Sequence, residues 1–165
     1  MLRIFNLDDA AFVLALLNEP GWIQYIGDRG VRNIADAQSW IQQGPLASQA
    51  KSGFSFYVVT LRESGLAIGI CGLIKRDKLK HIDLGYAFLS AYNGYGYALE
   101  AATATMQYAH QTLQIQQLAA ITLPDNHASN RLLGKLGFAL EQVLVFDGED
   151  KQTNLWAYVF PAKES

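Results

Sequence analysis

The spacing of apolar positions divides the chain into helical and strand-like stretches. An apolar run at 2–5 reads as a first strand. Asp8 then caps a helix running to about Asn18, with Phe12, Leu14, Ala15 and Leu16 as its core stripe, and Glu19-Pro20-Gly21 ends it. Residues 22–32 hold Trp22, Tyr25, Ile26, Gly27 and Gly30, a loop or short helix with exposed-looking aromatics. Residues 34–43 place Ala37, Trp40 and Ile41 on one helical face, closed by Gly44-Pro45. The period then shortens to two. Residues 54–61 and 67–74 read as strands joined by a hairpin turn at Glu63-Ser64-Gly65, and 81–89 follow as a third strand after a charged turn at 76–80. These three form an antiparallel meander.

Residues 97–113 make the best helix in the chain, with Ala98, Ala101, Ala102, Thr105, Met106, Ala109 and Leu113 at three- and four-residue spacing. The apolar strand 118–123 comes after that helix and is expected to run parallel to the strand before it. Pro124-Asp125-Asn126 stops the strand and starts a second helix to about Leu136, which Gly137 ends. Two strands at 139–146 and 154–160 turn at Asp147-Gly148-Glu149-Asp150, and the tail Pro161-Ala162-Lys163-Glu164-Ser165 is expected to fray. The order describes an α+β fold: a single domain over 1–165 around one mixed central sheet flanked by helices.

Composition narrows the options. Half of the 165 residues are hydrophobic, enough for one full core. A net charge of −2 with no basic block argues against a general nucleic-acid binder. Polar residues interrupt every apolar run, so no membrane span is expected, and the N-terminal residues lack the pattern of a signal peptide. Cys71 is the one cysteine; it has no disulfide partner and no Cys/His cluster suggests a metal. A cytoplasmic protein is the natural reading.

The segment Asn93-Gly94-Tyr95-Gly96-Tyr97-Ala98 lies between a strand and the long helix. A turn through two glycines into a helix start gathers unpaired N–H groups, and the helix dipole adds positive potential behind them. That is a site for a pyrophosphate. The Gly-x-Gly pair alone is weak evidence, since most such pairs are only tight turns.

Two motifs together go further. The first is Asp83-Leu84-Gly85-Tyr86-Ala87-Phe88-Leu89 with Tyr92-Asn93-Gly94-Tyr95-Gly96-Tyr97-Ala98 and Glu100-Ala101. The second is Thr122-Leu123-Pro124-Asp125-Asn126-His127-Ala128-Ser129-Asn130-Arg131-Leu132-Leu133, closing with Lys135-Leu136-Gly137-Phe138. With these in order the chain resembles the GNAT superfamily of acetyl-CoA-dependent N-acetyltransferases, in particular the branch of the ribosomal-protein alanine and serine N-acetyltransferases. The resemblance implies splayed central strands with acetyl-CoA wedged between them. It implies that the backbone of Phe88 and Leu89 pairs with the pantetheine arm. The N–H groups of Gly94, Tyr95, Gly96, Tyr97 and Ala98 would hold the pyrophosphate, Asn126 the pantetheine, and Asn130 and Arg131 would lie one turn on. Its partners would be acetyl-CoA and an amine acceptor, with a homodimer as a further option. Asn93 departs from the Gln, Arg or Trp common in relatives, which weakens side-chain readout there but leaves the backbone site.

The reaction implied is attack of a neutral amine on an acetyl thioester, with the N–H of Phe88 or Leu89 polarising the carbonyl. The Tyr that many relatives use toward the departing thiolate is replaced by Leu133. Ser129 is the nearest substitute, against an ordinary role in local helix bonding. Asp83 is the first choice of base, against a plain salt-bridged strand residue, with His81 close by. His110 and His127 read as surface and helix-start residues, Glu100 as support for the helix dipole and Cys71 as a core residue. Trp22, Tyr25, Asp28, Arg29 and Trp40 are candidates for the acceptor wall, though Tyr25 and Trp40 read equally as core aromatics. An acyl-CoA-binding sensor without chemistry is the rival motivated by the missing Tyr. A P-loop or dinucleotide protein is a remote one, because neither glycine pattern is complete.

Overall fold

The structure is a computed structural model that describes residues 1–162; Lys163, Glu164 and Ser165, part of the tail expected to fray, lie outside the described residues. Strands β1 (Leu2–Arg3), β2 (Phe56–Thr60), β3 (Ala67–Ile74), β4 (Asp83–Phe88), β5 (Gln117–Thr122), β6 (Ala139–Leu144) and β7 (Thr153–Val159) form one sheet. Their spatial order is β1-β2-β3-β4-β5-β7-β6. Every neighbouring pair is antiparallel except β4 and β5. Those two are parallel because helix α5 (Tyr97–Gln111) carries the chain back between them.

Helices cover both faces. α1 (Ala10–Leu17), α2 (Pro20–Tyr25) and α3 (Ile34–Ile41) bury Val13, Leu16, Trp22 and Ile41 against Val58 and Ile70. On the other face α5 and α6 (His127–Leu136) bury Ala102, Met106, Ala109 and Leu133 against Cys71, Leu73, Leu84 and Leu118. Side chains alternate across a strand, so in β4 the two faces receive different residues. Ala87 packs toward α1–α3, while Leu84, Tyr86 and Phe88 pack toward α5 and α6. Asp83 and Gly85 share the face of Ala87 by this alternation. Among the described residues no helix is long and apolar enough to cross a membrane.

Three local expectations are refined. A 3-10 turn over Leu7–Asp9 leads into α1, and its cap is Asn6, not Asp8: the Asn6 side chain accepts from the Asp8 N–H at 2.8 Å, and the Asp9 carboxylate accepts from the Asn6 N–H at 2.9 Å. This reciprocal box outcompetes a single Asp cap, and Arg3 anchors it with two bonds to Asp9. α1 ends at Leu17 as expected, yet Pro20 does not close off helix formation there: it starts α2, where its missing N–H costs nothing. Gly44-Pro45 does not stop α3 either. The chain widens into a π-type turn over Gln42–Leu46 and continues as α4 (Ala47–Ser52). The wider turn gives the proline ring the space a regular helix denies it.

The centre of the sheet determines what the fold can hold. β3 and β4 stay in register up to Gly69 and Phe88, and β5 is paired with β7 along its whole length. β4 and β5 meet at one position only, Asp83 opposite Ala119, with the Ala119 N–H on the Ile82 carbonyl at 2.8 Å. Beyond it the strands part.

β4 is held from the other side by a close approach of β2 to β3. A Cβ at Gly72 would sit 2.1 Å from the Ser55 carbonyl oxygen and 2.5 Å from the Phe56 Cα. Gly72→Ala is therefore expected to destabilise the protein by about 2 kcal/mol or more, since backbone, not a rotatable side chain, must move. A urea unfolding midpoint equal to that of the parent protein would show that β2 yields without cost.

Candidate active site

The parted strands open a cavity of about 1120 Å³. It runs from the start of α5, past Phe88 on β4 and Ala120 and Thr122 on β5, to Ser129 and Arg131 on α6. On the opposite face it reaches Asp83 and the wall made by Trp22, Tyr25, Arg29 and Trp40. The volume lies just above the usual range of about 300–1,000 Å³ for small-molecule sites, which suits two occupants.

One end is an array of main-chain donors. Gly94 and Gly96 have φ of +84° and +82°. This left-handed backbone suits glycine and strains any residue with a Cβ. It turns the chain so that α5 begins at the cavity. Gly96 is the N-cap and offers no side-chain cap, and the N–H groups of Gly94 to Leu99 have no acceptor among the described residues. By contrast, Asn126 caps α6 from its side chain. A fifteen-residue helix with its first turn unsatisfied and facing a cavity has the donor geometry that an anion requires.

The middle is a sheet edge. The Leu89 N–H donates to the Ile68 carbonyl at 2.9 Å, so odd-numbered residues of β4 bond to β3. The N–H and C=O groups of Tyr86 and Phe88 therefore point the other way, into the gap. An extended amide-bearing chain laid there would complete the ladder.

The vertex carries the titratable groups. Asp83 is 2% exposed. Arg76 Nε donates to its Oδ2 at 2.6 Å, while Oδ1 is buried without a partner. Burial pushes the Asp83 carboxyl up to about 6, against the pull of the Arg76 and Lys78 charges. At neutral pH it is mostly ionised, yet within easy reach of protonation. On the other face the Tyr86 hydroxyl lies 2.7 Å from Ser129 Oγ. Burial pushes the Tyr86 phenol up to about 12. Lys78 and Glu149 close this end of the cavity with a 2.6 Å ion pair that joins the β3–β4 and β6–β7 turns. Among the described residues no group of three or more His, Cys, Asp or Glu is placed to hold a metal ion.

Of the residues expected from sequence, Asp83, Phe88, Gly94, Gly96, Tyr97, Ala98, Asn126, Ser129 and Arg131 line the cavity. Three do not. Leu89 spends its N–H on β3 and packs its side chain toward α1–α3, which leaves Phe88 as the main-chain donor. Tyr95 turns its side chain outward at 70% exposure, so only its N–H belongs to the array. Asn130 accepts from Thr122 Oγ1 at 2.6 Å and donates to the Pro124 carbonyl at 3.1 Å, binding β5 to α6 instead of a ligand. Asn126 lines the cavity, but its oxygen is taken by the Ser129 N–H at 3.3 Å.

On the acceptor side Trp22 is buried and not exposed, and Trp40 stacks edge-on against Phe5. Asp28 is tied up outside the cavity by Arg32 and the Gly30 N–H. His110 is half-buried and stacked on Phe160, not a surface residue. Tyr86, Arg76 and the Lys78–Glu149 pair were missed. Lys78 and Glu149 lie 71 positions apart in sequence, Arg76 reads as one charge among several in the 76–80 turn, and Tyr86 reads as one more strand aromatic. Replacing Gly96 with Ala is expected to raise the KM for acetyl-CoA by about tenfold with kcat little changed, because strain falls on the donor array and not on the vertex. An unchanged KM would separate this turn from coenzyme binding.

Comparison with known proteins agrees with this geometry. Residues 1–139 match the family described as "Acetyltransferase (GNAT) domain". YoaA of Bacillus subtilis, described as an uncharacterized N-acetyltransferase, is 28% identical over 98% of this chain and 93% of its own length. The ribosomal protein uS5-alanine N-acetyltransferase of Escherichia coli is 34% identical, over 47% of this chain and 42% of its own. Among solved structures, the microcin C7 self-immunity acetyltransferase MccE, in complex with acetyl-CoA and AMP, superposes with a TM-score of 0.81. It is 22% identical over 96% of this chain and 91% of that one, a likeness of fold. With the family match covering most of the described residues, this chain belongs to the GNAT acetyltransferases and is an N-acetyltransferase with acetyl-CoA as its donor.

Proposed function

We propose that the protein moves the acetyl group directly from acetyl-CoA to a primary amine, a protein N-terminus or a small-molecule amine, within a ternary complex. The observation that carries this reading is the position of the vertex groups. Asp83 and the Tyr86–Ser129 pair flank the one point where β4 and β5 still touch, on opposite faces of the sheet. An acetyl carbonyl in the gap would meet its nucleophile from one face and release sulfur toward the other.

In this reading the N–H groups from Gly94 to Ala98 hold the pyrophosphate, with Arg131 beside them, and the free edge of β4 aligns the pantetheine. The Phe88 N–H polarises the carbonyl as negative charge develops on its oxygen. The amine enters along the wall of Trp22, Tyr25 and Trp40. It arrives largely as an ammonium ion, and the unpartnered Oδ1 of Asp83 takes its proton, directly or through a water. Ser129 donates a hydrogen bond to the departing sulfur. A cytoplasmic setting, where a lone thiol such as Cys71 stays reduced, fits the reading.

The test is release of CoA thiol from acetyl-CoA with a panel of amine acceptors. Turnover is expected with at least one peptide N-terminus or small primary amine, and none across the panel would overturn the proposal. Asp83→Asn is expected to lower kcat/KM by about a hundredfold. In the parent protein kcat/KM should fall as pH drops through about 6, because protonation removes the base. Arg76→Ala removes a charge that holds this pKa down, so the acid limb should move to higher pH. A limb that stays in place in both variants would show that another group controls it.

A further inference from the structure

Serine hydroxyls near a helix start ordinarily bond to their own backbone. Ser129 does not: among the described residues the partner of its Oγ is the Tyr86 hydroxyl at 2.7 Å. The same phenol oxygen lies 3.3 Å from the Ser129 carbonyl, a longer and weaker contact. Tyr86 reaches this point from β4, just past the Asp83–Ala119 bridge and on the α6 face. Its ring packs into the core cluster that holds α5, so the hydroxyl is presented from a fixed position.

A serine hydroxyl has one proton. If that proton is aimed at a sulfur in the cavity, the oxygen must accept its other bond from a neighbour. Burial keeps the Tyr86 phenol protonated throughout any working pH range, so it always has a proton to give. We propose that Tyr86 is a positioning residue for the departing thiolate: its hydroxyl donates to Ser129 Oγ and so directs the Ser129 O–H at the sulfur. This rests on the role given to Ser129 above.

The ammonium ion first gives one proton to Asp83, which passes it to water; the neutral amine nitrogen then bonds to the acetyl carbon and gives its second proton to the freed Asp83 carboxylate. The C–S bond breaks with its electron pair on sulfur, and the sulfur leaves as a thiolate hydrogen-bonded to Ser129. It takes its proton from water. Neither hydroxyl loses a proton, because a thiolate is too weak a base to remove one from a phenol raised to about 12. The pair therefore stabilises the leaving group by oriented hydrogen bonds and not by acid catalysis.

Amide formation is measured for the parent protein, Tyr86→Phe, Ser129→Ala and the double variant, with acetyl-CoA and with its analogue in which oxygen replaces the thioester sulfur. Tyr86→Phe is expected to lower kcat by about tenfold with the KM for acetyl-CoA held. The double variant should be no slower than Ser129→Ala, because the tyrosine acts only through the serine. The loss in Tyr86→Phe should be larger on the oxygen ester, whose more basic leaving group depends more on a donor. If Tyr86→Phe does not fold, Tyr86→Met fills the same apolar space and should give the same loss. Parental kcat in the tyrosine variant, or losses that multiply in the double variant, would overturn the proposal while Ser129→Ala remains slow. Should Ser129→Ala keep parental kcat, the role of Ser129 itself falls, and this inference with it.

Discussion

Everything the site does depends on one parallel bridge, Asp83 to Ala119, being the last contact between the two middle strands. Zipped strands would satisfy their own backbone groups and leave no edge for a ligand. Strands parted from the start would let the two halves of the sheet swing. A single bridge gives a fixed hinge point with an open wedge beyond it. The neighbours hold the wedge open, since β3 pairs along β4 and β7 pairs along β5. Each arm is thus half of a sheet that is complete on its outer side and unsatisfied on its inner side.

The bridge also sets the electrostatics. Its own residue Asp83 is buried by the strands that meet there, which is why its carboxyl titrates far above an ordinary aspartate. Arg76 offsets part of that cost through one oxygen and leaves the other unclaimed. Such an arrangement is uneconomical for stability alone, because a buried carboxylate oxygen without a partner is costly. It is the arrangement a proton acceptor needs. On the far face Tyr86 and Ser129 pair as neutral hydroxyls, so the two sides differ in chemistry as well as in orientation.

Much of this was legible in the chain. The two glycines with an alanine-rich helix behind them announce the donor array, because positive φ and an uncapped helix start are local properties. The meander, the parallel return of β5 and the helix ending at Gly137 follow from period and turn chemistry. The parting of the strands came only through the resemblance, since no local signal records where two strands stop pairing. Long-range pairings were not legible. Asn130 looked free for a ligand until Thr122 claimed it, and Leu89 looked equivalent to Phe88 until the register fixed which of them faces β3. The π-type turn at Pro45 escaped for another reason: proline usually stops a helix, and only tertiary packing favours the wider turn.

Thr122 stands at the tip of β5, where its hydroxyl donates to Asn130 on α6 and accepts from Trp156 Nε1 on β7 at 2.9 Å. Three elements are thereby pinned to one oxygen. The arm's tilt is accordingly set from outside the wedge, by a tryptophan on the next strand. Preorganisation of the mouth resides in this clasp, and drift at Trp156 would recalibrate how snugly a coenzyme fits although Trp156 itself does not line the cavity.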